Sequence, residues 1–159
     1  MVAKYLIYNL ILFTLFLTNT SIGKTINGKA KIIDGDTIHI DKFKIRLHAI
    51  DAPEIDQTCK KDNLVWKCGL ESTIFLKKIV NNKELSCKAS SKDRYNRFIA
   101  ICYIDKIDLN SMMVENGWAI AYRYYSLDYI KEERIAKSKK IGIWIGKFEE
   151  PYLFRKKNK

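Results

Sequence analysis

From residue 29 to residue 50 the chain is a series of short β-prone runs separated by polar turns. Residues 29–33 and 37–41 are two such runs, and Asp34-Gly35-Asp36 between them carries hairpin turn chemistry, so the two predicted strands pair. Residues 43–50 alternate strictly. Phe43, Ile45, Leu47 and Ala49 share one side and Lys44, Arg46 and His48 the other, which turns Arg46 away from the core face. Asp51-Ala52-Pro53-Glu54 ends this strand, because proline cannot donate to a ladder and biases the residue before it towards extended backbone.

The spacing then changes to four. Leu70 and Ile74, and Phe75 and Ile79, predict a helix over 70–80 that Asn81 and Asn82 stop. Strand character returns at 84–89 and 98–104, around the polar segment 90–97. A hairpin centred between Arg94 and Tyr95 sets Cys87 opposite Cys102. Asp108 is placed to cap a short helix with Leu109, Met112 and Met113 on one face and Gly117 as its left-handed terminator. A last helix is expected over 127–140, capped by Ser126 and stopped near Gly142, ahead of a frayed basic tail at 155–159. This order predicts an α+β fold: a small five-stranded barrel with about three α-helices packed around it. No internal repeat or low-complexity linker interrupts it.

The first 23 residues do not fit that pattern. Lys4 is their only charge, and residues 6–17 are apolar apart from Asn9 and Thr14. This run is shorter than the ~20 residues that span a bilayer, and small Ser21 and Gly23 precede Lys24, the outline of a signal peptide cleaved at that point. The expected product is one exported, periplasmic or secreted domain over 24–159 with its core in 28–145; the alternative is an uncleaved membrane anchor through residues 5–22. The chain carries a net charge of +11, of which the leader holds one. A compact basic surface attracts polyanions, nucleic acid foremost, although anionic lipid or cell-wall polymers feel the same field. Four cysteines behind an export leader favour two disulfides, and of the three possible pairings the strand reading prefers Cys59–Cys68 and Cys87–Cys102. The absence of a C-x-x-C pair, and the spacing of His39 and His48, argue against structural zinc.

Asp34, Asp36, Arg46, Asp51, Glu54 and Arg97 form the informative constellation, although each alone has a plain turn or surface explanation. The segments Ile33-Asp34-Gly35-Asp36-Thr37, Ile45-Arg46-Leu47, Ile50-Asp51-Ala52-Pro53-Glu54 and Asp93-Arg94-Tyr95-Asn96-Arg97 resemble the staphylococcal nuclease-like (thermonuclease) family in identity, order and spacing. The resemblance continues through Asp108-Leu109-Asn110, residues 115–119 and Gly142-Ile143-Trp144. It implies an OB-fold barrel and a calcium-dependent hydrolase cutting DNA and RNA, endonucleolytically or exonucleolytically, with little sequence specificity, a single-strand preference and 3′-phosphate products. It implies calcium on the Asp36 and Asp51 carboxylates and the Ala52 carbonyl, with Asp34 behind them orienting water. Glu54 takes the role of general base, and Arg46 and Arg97 hold the phosphate, a task suited to the bidentate, always-charged guanidinium. Arg94 and Tyr95 are expected to bind substrate, and Tyr122, Tyr124 and Tyr125 either stack on bases or pack the last helix onto the barrel.

The chain departs from the family pattern at three places: Ala52 stands where Thr is common, Asn96 where Gly is common, and residues 55–69, with Cys59 and Cys68, replace a flexible loop beside the site. Two other function classes remain open from sequence. A non-catalytic OB-fold module would bind nucleic acid without calcium and without cleavage, and a surface protein binding anionic polymers would ignore replacement of Glu54. The chain is expected to be monomeric, with no stable membrane partner after leader removal.

Overall fold

In the computed structural model, which describes residues 23–158, β1 (Lys24–Ile32), β2 (Thr37–Ile40) and β3 (Phe43–Leu47) form an antiparallel meander. The expected signal peptide, apart from Gly23, lies outside the described residues. The other edge of β1 pairs with β7 (Glu84–Lys92), β7 pairs with β8 (Phe98–Ile104), and β8 runs parallel to β3 through Ile45↔Phe98 and Leu47↔Ala100. The ring β1-β2-β3-β8-β7 is therefore closed, the five-stranded OB-fold barrel of an α+β protein. Its inside is filled by Ile26, Ile38, Ile40, Ile45, Leu47 and Leu85, β-branched residues prominent among them, with the Cys87–Cys102 disulfide between β7 and β8. Closing that loop, of sequence separation 15, contributes about 3 kcal/mol on a chain-entropy model. The second expected bridge, Cys59–Cys68, ties the hairpin of β5 (Cys59–Lys61) and β6 (Leu64–Trp66) to helix α1 (Cys68–Val80).

Several expectations are corrected in detail. Strand β1 begins at Lys24 rather than at residue 29. The alternating run ends at Leu47, not Ile50, because Ala49 takes a left-handed φ of 58° and redirects the chain. Ile50–Asp51 becomes a separate strand, β4, paired with β10 (Ile120–Ala121) through Ile120↔Asp51. On α1 the buried stripe is Gly69, Ser72, Thr73, Leu76 and Val80, while Ile74 faces solvent. Two hydroxyls can occupy that face because each is satisfied: Ser72 donates to Trp118 O at 2.7 Å and Thr73 to Gly69 O at 2.9 Å. Strand β7 continues to Lys92 past a bulge between Ala89 and Ser91, so the extra residue shifts the tip of the hairpin by half a register step while Cys87 and Cys102 stay opposed.

After β9 (Ile107–Asp108), Asp108 caps α2 (Leu109–Glu115) by accepting from Ser111 N at 2.9 Å, and Gly117 follows at φ 73°. The inward residues of α2 are Leu109, Asn110, Met113 and Val114, with Met112 only half-buried. Helix α3 (Ile130–Lys139) starts later than expected, after Tyr129 at φ 64°, and Ser126 instead caps the preceding turn by accepting from Asp128 N. The segment expected as a frayed tail forms a further helix, α4 (Pro151–Lys157), whose proline occupies the first turn.

Two buried polar residues lock these parts together. Asn110 donates to His48 O at 3.0 Å and Ala100 O at 3.2 Å and accepts from Cys102 N at 3.2 Å, joining α2 to β8 and to the turn before β4. Glu133 is 1% exposed and accepts from Arg123, from Lys137 at 3.0 Å and from Ala121 N at 3.2 Å, joining α3 to β10. Asn110→Ala takes the Asn110 partner from His48 O and Cys102 N, while Ala100 O keeps its bond from His48 N at 2.8 Å, and is expected to cost about 3 kcal/mol in urea unfolding. Burial alone would raise the Glu133 pKa, but the Arg123 and Lys137 hydrogen bonds and charges win and hold it below the ordinary value. Its stabilisation is thus present above the ordinary glutamate pKa and is lost as pH falls through the depressed one. Glu133→Gln should cost about 2 kcal/mol at neutral pH, and the difference in Tm from wild type should shrink on acidification towards pH ~3.

Candidate active site

One rim of the barrel gathers the charged residues. Asp36 lies just before β2 and is 2% exposed; Asp51 lies in β4 and is fully buried. Arg46, from the outer side of β3, does not reach solvent freely but lies between them, donating through Nη1 to Asp36 Oδ1 and through Nη2 to Asp51 Oδ1 at 2.7 Å. Alternation along β3 was thus right about direction, and tertiary structure supplies the partners. Burial lowers the Arg46 pKa against the pull of Asp51, and the nearby Arg155 and Arg97 add to the fall, but a guanidinium keeps its charge through such a shift.

The loop bearing Asp34 and Asp36 sits tightly on its neighbours. Asp36 N donates to Asp34 Oδ1 at 3.0 Å, and burial raises the Asp34 pKa against the attraction of Arg46. Gly35 has no left-handed φ, so the type of hairpin turn that requires one is not why glycine stands here. A Cβ at that position would lie 2.2 Å from Ser72 Oγ and 2.6 Å from Ala52 Cβ, so the glycine is what lets the turn close on α1 and residue 52. Ala52 N in turn donates to Asp36 Oδ2 at 2.8 Å.

Glu54 is held from behind. Its N–H donates to Gln57 Oε1 at 3.2 Å and its carbonyl accepts from Gln57 N at 2.8 Å, and fully buried Gln57 donates onwards to Glu149 O at 2.7 Å. Gly69, at the start of α1, lies so close that a Cβ would come 1.6 Å from Glu54 O. The Glu54 carboxylate projects to the rim, 31% exposed, and accepts from Arg155 Nη1 at 2.9 Å. The same nitrogen lies 2.8 Å from Asp51 Oδ1. Desolvation works against the Arg155 charge, but its bonds to Asp51 and Glu54 outweigh it and hold the pKa above the ordinary arginine value.

Arg97 reaches the same rim from β7–β8. Asp93 accepts from its Nε and Nη2, each at 2.8 Å, and Arg97 Nη1 approaches Thr37 Oγ1 at 3.4 Å, which itself donates to Asp36 at 3.1 Å. Asn96 makes this turn possible by adopting φ 62°, a left-handed conformation asparagine tolerates well. Arg94 lies over the Tyr95 ring with 4.8 Å to its centroid, and Arg97 flanks that ring at 5.5 Å, so both expected substrate-binding residues border Arg97. Tyr124 and Tyr125 are 81% and 70% exposed and pack on each other and on Tyr122, a surface cluster rather than cement for α3.

Every site residue expected from sequence therefore lies on this rim or beside it. Sequence reasoning left Asp93, Thr37 and Gln57 without roles and placed Arg155 in a tail. Asp93 stood inside the quoted motif, and Glu150-Pro151 followed by a basic last turn was a legible helix signal for the Arg155 segment.

Asp51 Oδ2 is buried and has no hydrogen-bond partner among the described residues, a costly state for an anionic oxygen. With Asp36 opposite, these all-oxygen donors fit a hard divalent cation such as calcium. Among the described residues no cluster of three or more His, Cys, Asp or Glu side chains forms a complete cage, so an ion here draws further oxygens from backbone or water.

Residues 44–146 match the family model described as staphylococcal nuclease homologue. An uncharacterized endonuclease of Haemophilus influenzae is 34% identical, across 98% of this chain and 87% of its own length. The thermonuclease of Staphylococcus hyicus is 33% identical over 69% of this chain, and succinoglycan biosynthesis protein ExoI of Rhizobium meliloti 34% identical over 74%. This chain spans 66% and 63% of the length of those two. With the match running from within β3 to Gly146, across Arg46, Asp51, Glu54 and Arg97, the chain belongs to the staphylococcal nuclease homologue family.

Proposed function

We propose that this protein is an exported, calcium-dependent nuclease that hydrolyses phosphodiester bonds of DNA and RNA at the Asp36–Asp51 rim. That it is a nuclease, and so a hydrolase, follows from its family and from relatives named for that activity. The observation that carries the finer reading is the meeting of an unpartnered buried carboxylate oxygen on Asp51 with Glu54 and the guanidiniums of Arg46 and Arg97 on one rim of the barrel.

Asp36, Asp51 and the Ala52 carbonyl would hold calcium, which when bound supplies Lewis acidity at a phosphoryl oxygen. Arg46 and Arg97 take the phosphate, their forked donors meeting the charge that grows on its oxygens as water attacks. Asp93 orients Arg97 through Oδ2, on which Nε and Nη2 converge, and through Oδ1, which accepts from Arg97 N at 3.0 Å. Glu54 accepts the proton of the attacking water. The bond from phosphorus to the 5′ oxygen breaks, that oxygen leaves as a hydroxyl on gaining a proton, and a 3′-phosphate remains. Stacking surfaces and backbone charge explain low sequence specificity and a preference for single strands, since every base offers a π-face. Two disulfides suit an oxidising compartment, in keeping with the leader read from sequence. Among the described residues no helix is long and apolar enough to cross a membrane. The nuclease is read as a monomer.

Purified protein should degrade single-stranded DNA and RNA with calcium and not with chelator, and Glu54→Gln should lower the rate at least ~100-fold in a fluorescence cleavage assay. Tight binding without cleavage under any divalent metal would instead establish a binding module. Asp93→Ala is expected to lower kcat by about 10- to 100-fold through misplacement of Arg97, with a Tm change of only a few degrees by thermal melt.

A further inference from the structure

Helix α4 has anchors besides Arg155. Pro151 is buried, Gln57 ties Glu149 just before the helix, and Lys157 pairs with Glu149 at 2.5 Å. Tyr152 and Arg155, three residues apart, share one face of the helix. Arg155 arrives at Asp51 and Glu54 as described, and Tyr152, 45% exposed, brings its ring to 6.5 Å from that of Tyr122. Tyr152 also lines a shallow cavity of about 230 Å³ with Ile120, Tyr122, Arg123 and Tyr124.

Two roles suit an arginine in this place. A plug would use its charge to block the carboxylates, whereas a substrate-binding group would face the cleft and keep donors for a ligand. Both carboxylate contacts come from Nη1 alone, and the side chain is 29% exposed, so one nitrogen of the fork serves the acids and the group still borders solvent. A plug also gives no reason for an exposed tyrosine on the same helix face to extend the Tyr122–Tyr124–Tyr125 cluster. An alternating arrangement of charge and ring is what a single strand needs, phosphate and base in turn.

We propose that α4 is one wall of the nucleic-acid cleft, with Arg155 a third phosphate-binding arginine and Tyr152 a base-stacking side chain. This rests on the nuclease reading of the same rim. The test measures binding of a short fluorescein-labelled single-stranded DNA by anisotropy across a salt series, in a Glu54→Gln background with calcium present. Arg155→Ala should weaken binding about tenfold and make the slope of log K against log salt shallower by about 0.7, the loss of one phosphate contact on a single strand. Arg155→Lys should keep the slope while losing part of the affinity. Tyr152→Ala should weaken binding about tenfold with the slope unchanged, as loss of a stack does. Slopes identical to the parent in both Arg155 variants, or tighter binding by Arg155→Ala, overturn the proposal, the latter by showing a plug. Wild type that cleaves with calcium while these variants bind normally refutes this inference alone; wild type that neither cleaves nor binds refutes the nuclease reading with it.

Discussion

Two buried carboxylates facing one buried guanidinium set the terms for the rest of this structure. Taking like-charged Asp36 and Asp51 out of water together costs several kcal/mol each, and Arg46 offsets that only where both reach its fork. Three unrelated backbone features meet this demand. Parallel pairing of β3 with β8 closes the barrel beneath Arg46, the left-handed Ala49 swings Asp51 into β4 against β10, and Gly35 lets the Asp36 turn settle against α1. The match is incomplete, since Asp51 Oδ2 has no donor among the described residues.

Outwards from this centre, support is hierarchical. Thr37 connects Asp36 to Arg97, and Asp93 fixes Arg97 from the other side, so the second arginine is oriented without being buried. Gln57 holds the Glu54 turn and the chain entering α4 through the same side chain. The Cys59–Cys68 bridge ties the segment beside Glu54 to the start of α1, where the family pattern has a flexible loop. A site whose acid and arginines are held by packed second partners loses less conformational freedom when a charged ligand arrives.

Most of the barrel was legible because its information is local. The run 43–47 alternates, 84–104 reads as a hairpin, and the opposed cysteines within it need only the register of that hairpin, which the bulge at Ala89/Ser91 leaves intact on the cysteine side. The four-residue spacing located α1, whose Phe75 and Ile79 pack against the core, but the hydroxyls of Ser72 and Thr73 are buried by hydrogen bonds that hydrophobicity cannot register. Ala49 gave no warning, since nothing about alanine announces φ 58°.

The sequence by itself determined the order of the strands and named the charged residues that the fold gathers on one rim, because motif spacing and two-residue periodicity are properties of neighbours along the chain. It also determined the basic balance that favours a polyanionic partner. Only tertiary structure decided that Arg46 would be a buried bridge rather than a solvated strand residue, that Asn110 and Glu133 would lock helices to the barrel, and that the C-terminal basic segment would return as α4 to set Arg155 beside Glu54. Those outcomes depend on contacts between residues from 5 to 101 apart in sequence, whose energies come from burial and charge pairing that exist only once the barrel has closed.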